Sequence, residues 1–269
     1  MSPTQNSLAP QGQPKVAFLA ASSRGIGYGV ARALAERGGR LFLGGRDGNS
    51  LAEAARNLSL DYGVEVGFSF LDAADPLSIK AWLEAGFGRF GQVNQLLVNA
   101  GGPPPGGFDQ FLDGVWTQAF EQNLMSAVRL VRGVLPSMRR QGGGAILTVT
   151  SSSVKESIDG LLLSNVMRSA VAGLVKSLAR ELGPQNIRVN NLMPGKIDTE
   201  RIHSLDFNLA RAKGISTEEQ RQQSQANIPL GRYGTIEEIG KVGAFLLSGE
   251  AGYLSGQSIA VDGAAMKAL

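Results

Sequence analysis

"VAFLAASSRGIGYGVARAL", residues 16–34, decides the fold. It opens on four apolar residues, passes through a run of small and polar ones, and then carries apolar side chains at helical spacing. Strand, tight turn and helix in immediate succession begin a wound α/β sheet. In such a turn the backbone can approach a pyrophosphate closely, because the helix N-terminus presents unpaired N–H groups and a positive dipole end. A packing turn with no ligand is the plainer reading of the same residues. Placement at the first strand–helix junction favours the nucleotide.

Working outward, short β-rich runs alternate with longer helical patterns along the chain. The expected strands are 16–20, 40–44, 65–71, 95–99, 145–151, 188–192 and 257–261; helices are expected near 25–37, 51–59, 76–88, 112–140, 162–182 and 235–248. "SLAE" (50–53) has the spacing of a capping box, and "MRRQGG" (138–143) and "ELGP" (181–184) read as helix ends. This alternation predicts a single-domain, doubly wound parallel sheet over 14–269, covered by helices on both faces. Residues 197–227 break the rhythm with a polar, helix-prone excursion, placed where a lid over a ligand belongs. A solvated helical insertion is the alternative. Residues 1–13 are polar and contain Gln and Pro; they read as a disordered tail and not a signal peptide.

Composition narrows the classes. The 269 residues are 43% hydrophobic and 18% charged, enough for a sizeable core. A net charge of +3 from scattered basic residues gives no nucleic-acid footprint. The absence of cysteine excludes thiolate metal sites and disulfides and favours a cytoplasmic setting. With one histidine no zinc site is expected. No apolar run approaches the roughly 20 residues that cross a bilayer, so no membrane partner is expected.

Motifs along nearly the whole chain resemble the short-chain dehydrogenase/reductase family. "AASSRGIG" is similar to its TGxxxGIG turn, with Ala20 and Ala21 where Thr and the first Gly normally stand. "LLVNAGG" (96–102) resembles the NNAG stretch, with Val98 in place of the first Asn. Asn123 in "FEQNLMSAV" matches the helix Asn and Ser151 in "LTVTSSS" the catalytic Ser. "NLMPGKIDT" (191–199) and "IPLGRYGTIEEIG…YLSGQSIAVDG" match the later signatures. The 3-oxoacyl-acyl-carrier-protein reductases are the most similar subgroup.

The resemblance implies a Rossmann fold binding a nicotinamide dinucleotide. Ser22, Ser23, Arg24, Gly25, Ile26 and Gly27 would hold its phosphates; Asp72 would lie near the adenine, with Asn99, Ala100 and Gly101 along the adenosine ribose. Arg168 would face the nicotinamide ribose, and Pro194, Gly195, Ile197 and Thr199 would flank the nicotinamide. The second strand ends "LFLGGRDG", with Gly45 at the position of the NAD-type Asp. Arg46 follows, and Arg24 lies in the turn. Two guanidiniums suit a 2′-phosphate, so NADP(H) is expected. Asp47 is the rival for NAD(H), but an Asp-Gly turn beyond the strand accounts for it.

The family's Tyr-x-x-x-Lys pair begins 13 residues after the catalytic Ser. From Ser151 that count reaches "SNVMR", so Ser164 and Arg168 occupy the slot, still on one helix face. A serine hydroxyl is a far weaker acid than a phenol, and arginine cannot surrender a proton. None of Tyr28, Tyr62, Tyr233 or Tyr253 lies nearby in sequence. Three substitutes stay open: a water held by Ser164 and Arg168, Lys155 from the following loop, or Ser152 or Ser153 in place of Ser151.

Around these, "GGPPPGG" (101–107) reads as a stiff wall of the cleft or simply a rigid turn. His203 is expected on the surface, and Trp82 and Trp116 in packing. The expected activity is reduction of a small-molecule carbonyl, or oxidation of a secondary alcohol, by an NADP(H)-dependent homo-oligomer, a tetramer or a dimer. A non-catalytic NADP(H)-binding sensor or assembly subunit is the alternative.

Overall fold

Seven short runs rich in Val, Leu, Ile and Phe pair into one parallel sheet, whose central strands are apolar on both faces and are covered twice. A computed structural model describes residues 14–268; the tail expected over 1–13 lies outside them. The strands are β1 (Val16–Leu19), β2 (Arg40–Gly45), β3 (Val66–Phe70), β4 (Gln95–Val98), β5 (Gly144–Val149), β6 (Ile187–Pro194) and β7 (Ser258–Val261). Their order in the sheet is β3-β2-β1-β4-β5-β6-β7. The direction of winding reverses between β1 and β4, which opens a crevice at the carboxyl ends of those two strands.

Alternation along β1 shows how the two cores divide. Val16, Phe18 and Ala20 join Phe42, Trp82, Leu130 and Val175 on one face, and Ala17 and Leu19 join Leu43, Val30, Leu58 and Leu247 on the other. The first face is covered by α3 (Pro76–Phe90), α5 (Ser126–Arg140) and α6 (Leu162–Leu182). The second is covered by α1 (Gly25–Ala35), α2 (Gly48–Tyr62) and α9 (Ile236–Leu247). Trp82 is fully buried and donates its indole N–H to Leu43 O at 3.1 Å, so it is a packing residue.

Three expectations change in detail. The helix expected over 112–140 is α4 (Asp113–Phe120) and α5, joined by a π-helical turn, Glu121–Met125. There the Asn123 amide donates to Ala119 O (3.0 Å) and the Ser126 hydroxyl to Gln122 O (2.7 Å), bonds that compete with the regular ladder. The capping box expected at Ser50 is replaced by Asp47, whose carboxylate accepts from the Asn49 and Ser50 N–H groups and starts α2 three residues earlier than expected. Gly183 stays right-handed, and Asn186, at φ 57°, makes the turn into β6.

The excursion at 197–227 folds as α7 (Glu200–Lys213) and α8 (Thr217–Ala226). Its anchor is buried Asp206, which accepts from the Tyr233 hydroxyl at 2.7 Å and the Ser224 hydroxyl at 3.4 Å. Burial, with the Asp206 bond, pushes the Tyr233 phenol up to about 12, so it stays protonated at neutral pH with its O–H committed to Asp206.

Candidate active site

The turn after β1 is stitched to both neighbouring strands. Ala20 N–H donates to Leu97 O and Ser22 N–H to Gly44 O, each at 3.0 Å, while the buried Ser22 hydroxyl donates to Leu19 O at 2.7 Å. The Asn99 amide reaches across to Ala21 O at 3.0 Å. Ala21 takes the left-handed conformation, φ 47°, at a position suited to glycine. Gly27 cannot be replaced: a Cβ there would lie 2.2 Å from Ala21 O. Arg24 is the N-cap of α1 and makes no side-chain cap, so the first N–H groups of the helix face the crevice unclaimed by any side chain. That donor set suits a phosphate.

Around the rim, Ser23 lies beside Gly45 at the end of β2, and Arg46 next to it is exposed. The Asp47 carboxyl is held below its usual range, chiefly by the Ser50 backbone N–H, with the Arg24 charge adding to the effect. Asp47 is thus occupied as a helix cap, where the sequence suggested an Asp-Gly turn. Asp72 closes its own turn, accepting from Ala74 N–H at 3.0 Å, and its backbone N–H donates to the Ser78 hydroxyl oxygen at 2.8 Å. Ile26 is packed against the α1-side core.

At the centre, α6 packs against the turn Ser152–Val154 and against the π-helical turn carrying Asn123. This brings Asn123, Ser151, Ser164 and Arg168 to one end of the sheet. Asn123 is buried, and its Oδ1 has no donor. The Ser151 oxygen accepts from Ser153 N–H at 3.1 Å, which leaves its O–H to donate. Ser153 is buried with its own hydroxyl unpartnered, and Lys155 is exposed. Ser164 is half-buried, one turn before Arg168. Arg168 is only 8% exposed; it donates to Val149 O at 2.6 Å and Ala100 O at 3.3 Å. Burial, then the nearby Arg201 charge, pulls its guanidinium down to about 10. The Gly101 carbonyl is taken by Gln122 Nε2 at 3.0 Å. Beyond β6, Gly195 is forced by the end of β7, since a Cβ would fall 2.6 Å from Asp262 Cβ. Pro194 ends the strand, Ile197 is buried, and the Thr199 methyl lies 3.6 Å from an ideal Cβ at Gly25.

A family model described as enoyl-(acyl carrier protein) reductase matches residues 20–264. The chain belongs to the short-chain dehydrogenase/reductase family. A relative of this oxidoreductase family, the 3-oxoacyl-[acyl-carrier-protein] reductase of Chlamydia muridarum, is 29% identical over 93% of this chain and 96% of its own. L-sorbose reductase from Gluconobacter frateurii, solved with NADPH and L-sorbose, superposes with TM-score 0.91 and 33% identity, covering 96% of this chain and 98% of that one. A short-chain oxidoreductase of Pseudomonas aeruginosa PAO1, described as containing an atypical catalytic centre and solved with NADPH, superposes with TM-score 0.82 and 27% identity, covering 95% and 98%.

For a short-chain dehydrogenase/reductase, the residues beside the site that the sequence did not single out lie at the start of α7. Glu200 pairs with Arg24 at 2.7 Å, tying the excursion to the glycine turn. Arg201 donates to Pro103 O at 3.2 Å across the "GGPPPGG" loop. Their signal was an adjacent acid and base in "DTER", opening the excursion. His203 pairs with Asp198 at 2.5 Å on the outer side, and Trp116 packs beside Leu163 and Met167.

Proposed function

We propose that the chain is an NADP(H)-dependent reductase that converts a small-molecule carbonyl to a secondary alcohol, with Ser164 and Arg168 in the family's Tyr/Lys slot. The observation that carries it is Asp47, the rival acid for the ribose diol, occupied by two backbone N–H groups at the start of α2. Arg24 and Arg46 flank that point and suit a phosphorylated ribose. The uncapped start of α1 would hold the pyrophosphate, and Asp72, Asn99, Ala100 and Gly101 would line the adenosine. NADPH-bound relatives of the same fold support this.

Bound there, the nicotinamide supplies a hydride to the carbonyl carbon. The chain's part is to polarise the carbonyl and deliver a proton to its oxygen. The Ser151 hydroxyl, its lone pair already engaged by Ser153 N–H, is oriented to donate to that oxygen. Ser164 carries no hydrogen bond from its own hydroxyl within the described residues, and with Arg168 a turn away it would hold a water as proton carrier. Exposed Lys155 and inward-facing Ser153 rank behind it. Loss of a phenolic acid typically slows such a step by about 10²–10⁴-fold.

The alternative, a sensor or assembly subunit that binds NADP(H) without turnover, is favoured by one feature: a serine and not a phenol stands one helical turn before Arg168, and Tyr233 is committed to Asp206. Fluorescence titration with NADPH and NADH, followed by NADPH oxidation across ketones and 3-oxoacyl thioesters, separates the readings. NADPH preference with turnover is expected. Binding without turnover on any substrate would select the sensor, and failure to bind NADPH would remove both. The reading extends to a cytoplasmic homo-oligomer of two or four copies, which light scattering on the purified protein tests.

A further inference from the structure

We infer that the site takes an anionic carbonyl compound, a short oxo acid whose carboxylate sits between the guanidinium groups of Arg168 and Arg201. The inference rests on the reductase reading and narrows its substrate class. Arg168 is a buried cation with no acidic partner among the described residues. Two of its N–H groups go to main-chain carbonyls, which leaves three of a guanidinium's five without an acceptor there. Burying a charge without a counter-charge is costly, and a ligand of opposite sign relieves it.

Arg201 brings a second positive charge to the same place. It rises from the first turn of α7 and bonds to Pro103 O, while Arg168 bonds to Ala100 O. The two guanidiniums are therefore pinned to the ends of one four-residue loop, whose extended reach is roughly 10 Å over three residue steps. An Arg201 terminal nitrogen lies over Gly102, between them, 2.9 Å from where a Cβ would stand. Behind burial, the Arg201 charge adds to the lowered pKa of Arg168, as expected of like charges near one another.

Three other arginines nearby do carry acids: Arg24 pairs with Glu200, Arg221 with Asp198 and Arg232 with Glu238. Glu200, the immediate neighbour of Arg201, is turned to Arg24. Arg168 and Arg201, each bonded to a carbonyl of one loop, offer planar, forked donors there, a chemistry that suits a carboxylate. Because Arg168 is one helical turn from Ser164, a carboxylate held there belongs one or two bonds from the reacting carbonyl. That specifies a 2- or 3-oxo acid.

A cofactor phosphate has the same chemistry, so the test must separate the two sources. Calorimetry on the protein saturated with NADP⁺, which has no hydride to give, compares acetoacetate with neutral acetoacetamide. The acid is expected to bind at least tenfold tighter, and R201Q, a change at an exposed side chain, to erase that difference. NADPH titration of the same variant is expected to stay within threefold of the parent. In turnover, 2- and 3-oxo acids are expected to exceed their methyl esters at least tenfold in kcat/KM. Equal binding of acid and amide, or preference for the esters, overturns the inference while tight NADPH binding leaves the nucleotide reading standing. Parallel loss of acetoacetate and NADPH affinity in R201Q places Arg201 on the cofactor's phosphates and also overturns it. Failure of NADPH to bind the parent removes the reductase reading, and the inference with it.

Discussion

Arg24 has two claims on it: the phosphate it is proposed to meet and the Glu200 carboxylate it already holds at 2.7 Å. Both side chains of that pair are largely exposed, and such pairs contribute at most about 1 kcal/mol, or roughly fivefold in an equilibrium. Glu200→Gln is therefore expected to tighten NADPH binding two- to fivefold and leave NADH nearly unchanged, read by fluorescence titration in low salt. Unaltered NADPH affinity would mean that Arg24 does not meet the phosphate. Ser164 offers the second test at this scale. Its hydroxyl is half-buried, with the Arg168 cation one turn on. Ser164→Tyr is expected to raise kcat at least tenfold on the best ketone, since general acids are worth about 10²–10⁴-fold. Turnover left as it was would show that the proton travels by another route.

Among the elements, α1 and α9 approach closely enough to forbid side chains at their crossing. A Cβ on Gly29 would meet Ile236 O at 2.2 Å, and one on Gly240 would meet Gly29 O at 2.2 Å. Gly240→Ala must push the helices apart, and overpacking of this kind typically costs about 1–3 kcal/mol. A lowered melting temperature with the glycine turn displaced is the expected outcome, measured by calorimetry and by weaker NADPH binding. The start of α9 carries a pH signature as well. Arg232 first, then the Thr235 backbone N–H, hold the Glu238 carboxyl at about 2. A depressed folded pKa means stabilisation fully present above the unfolded value of about 4.3 and lost as pH falls through about 2. The melting-point advantage of the parent over Glu238→Gln is expected at pH 7 and should shrink steadily between pH 5 and 2. A constant difference over that range would show that the carboxylate does not support the cap.

For the whole molecule, ligand and fold are coupled through the crevice between β1 and β4. NADPH at a hundred times its Kd is expected to add about 2.7 kcal/mol to stability. That corresponds to a rise of about 5–10 °C in Tm at this chain length, and NADH at equal concentration should give less. Equal shifts would contradict the NADP(H) preference. Seven strands, their alternation with helices and the crevice were legible in the sequence, because period and turn chemistry act between neighbours along the chain. Ser151, Ser164 and Arg168 could be singled out from their spacing alone, and their roles stay as proposed. Arg201 was not legible, because nothing near "DTER" says that it will reach the Pro103 carbonyl. Nor was the π-helical turn, which depends on side chains competing with their own backbone. By itself the sequence determined a wound sheet with a dinucleotide-type turn at its first strand–helix junction. Only the tertiary structure decided that Arg24 holds Glu200, that Asp47 is a helix cap, and that two unmatched guanidiniums share one loop. Those pairings join residues up to 176 positions apart, and only the packing of the finished fold sets which distant charges meet.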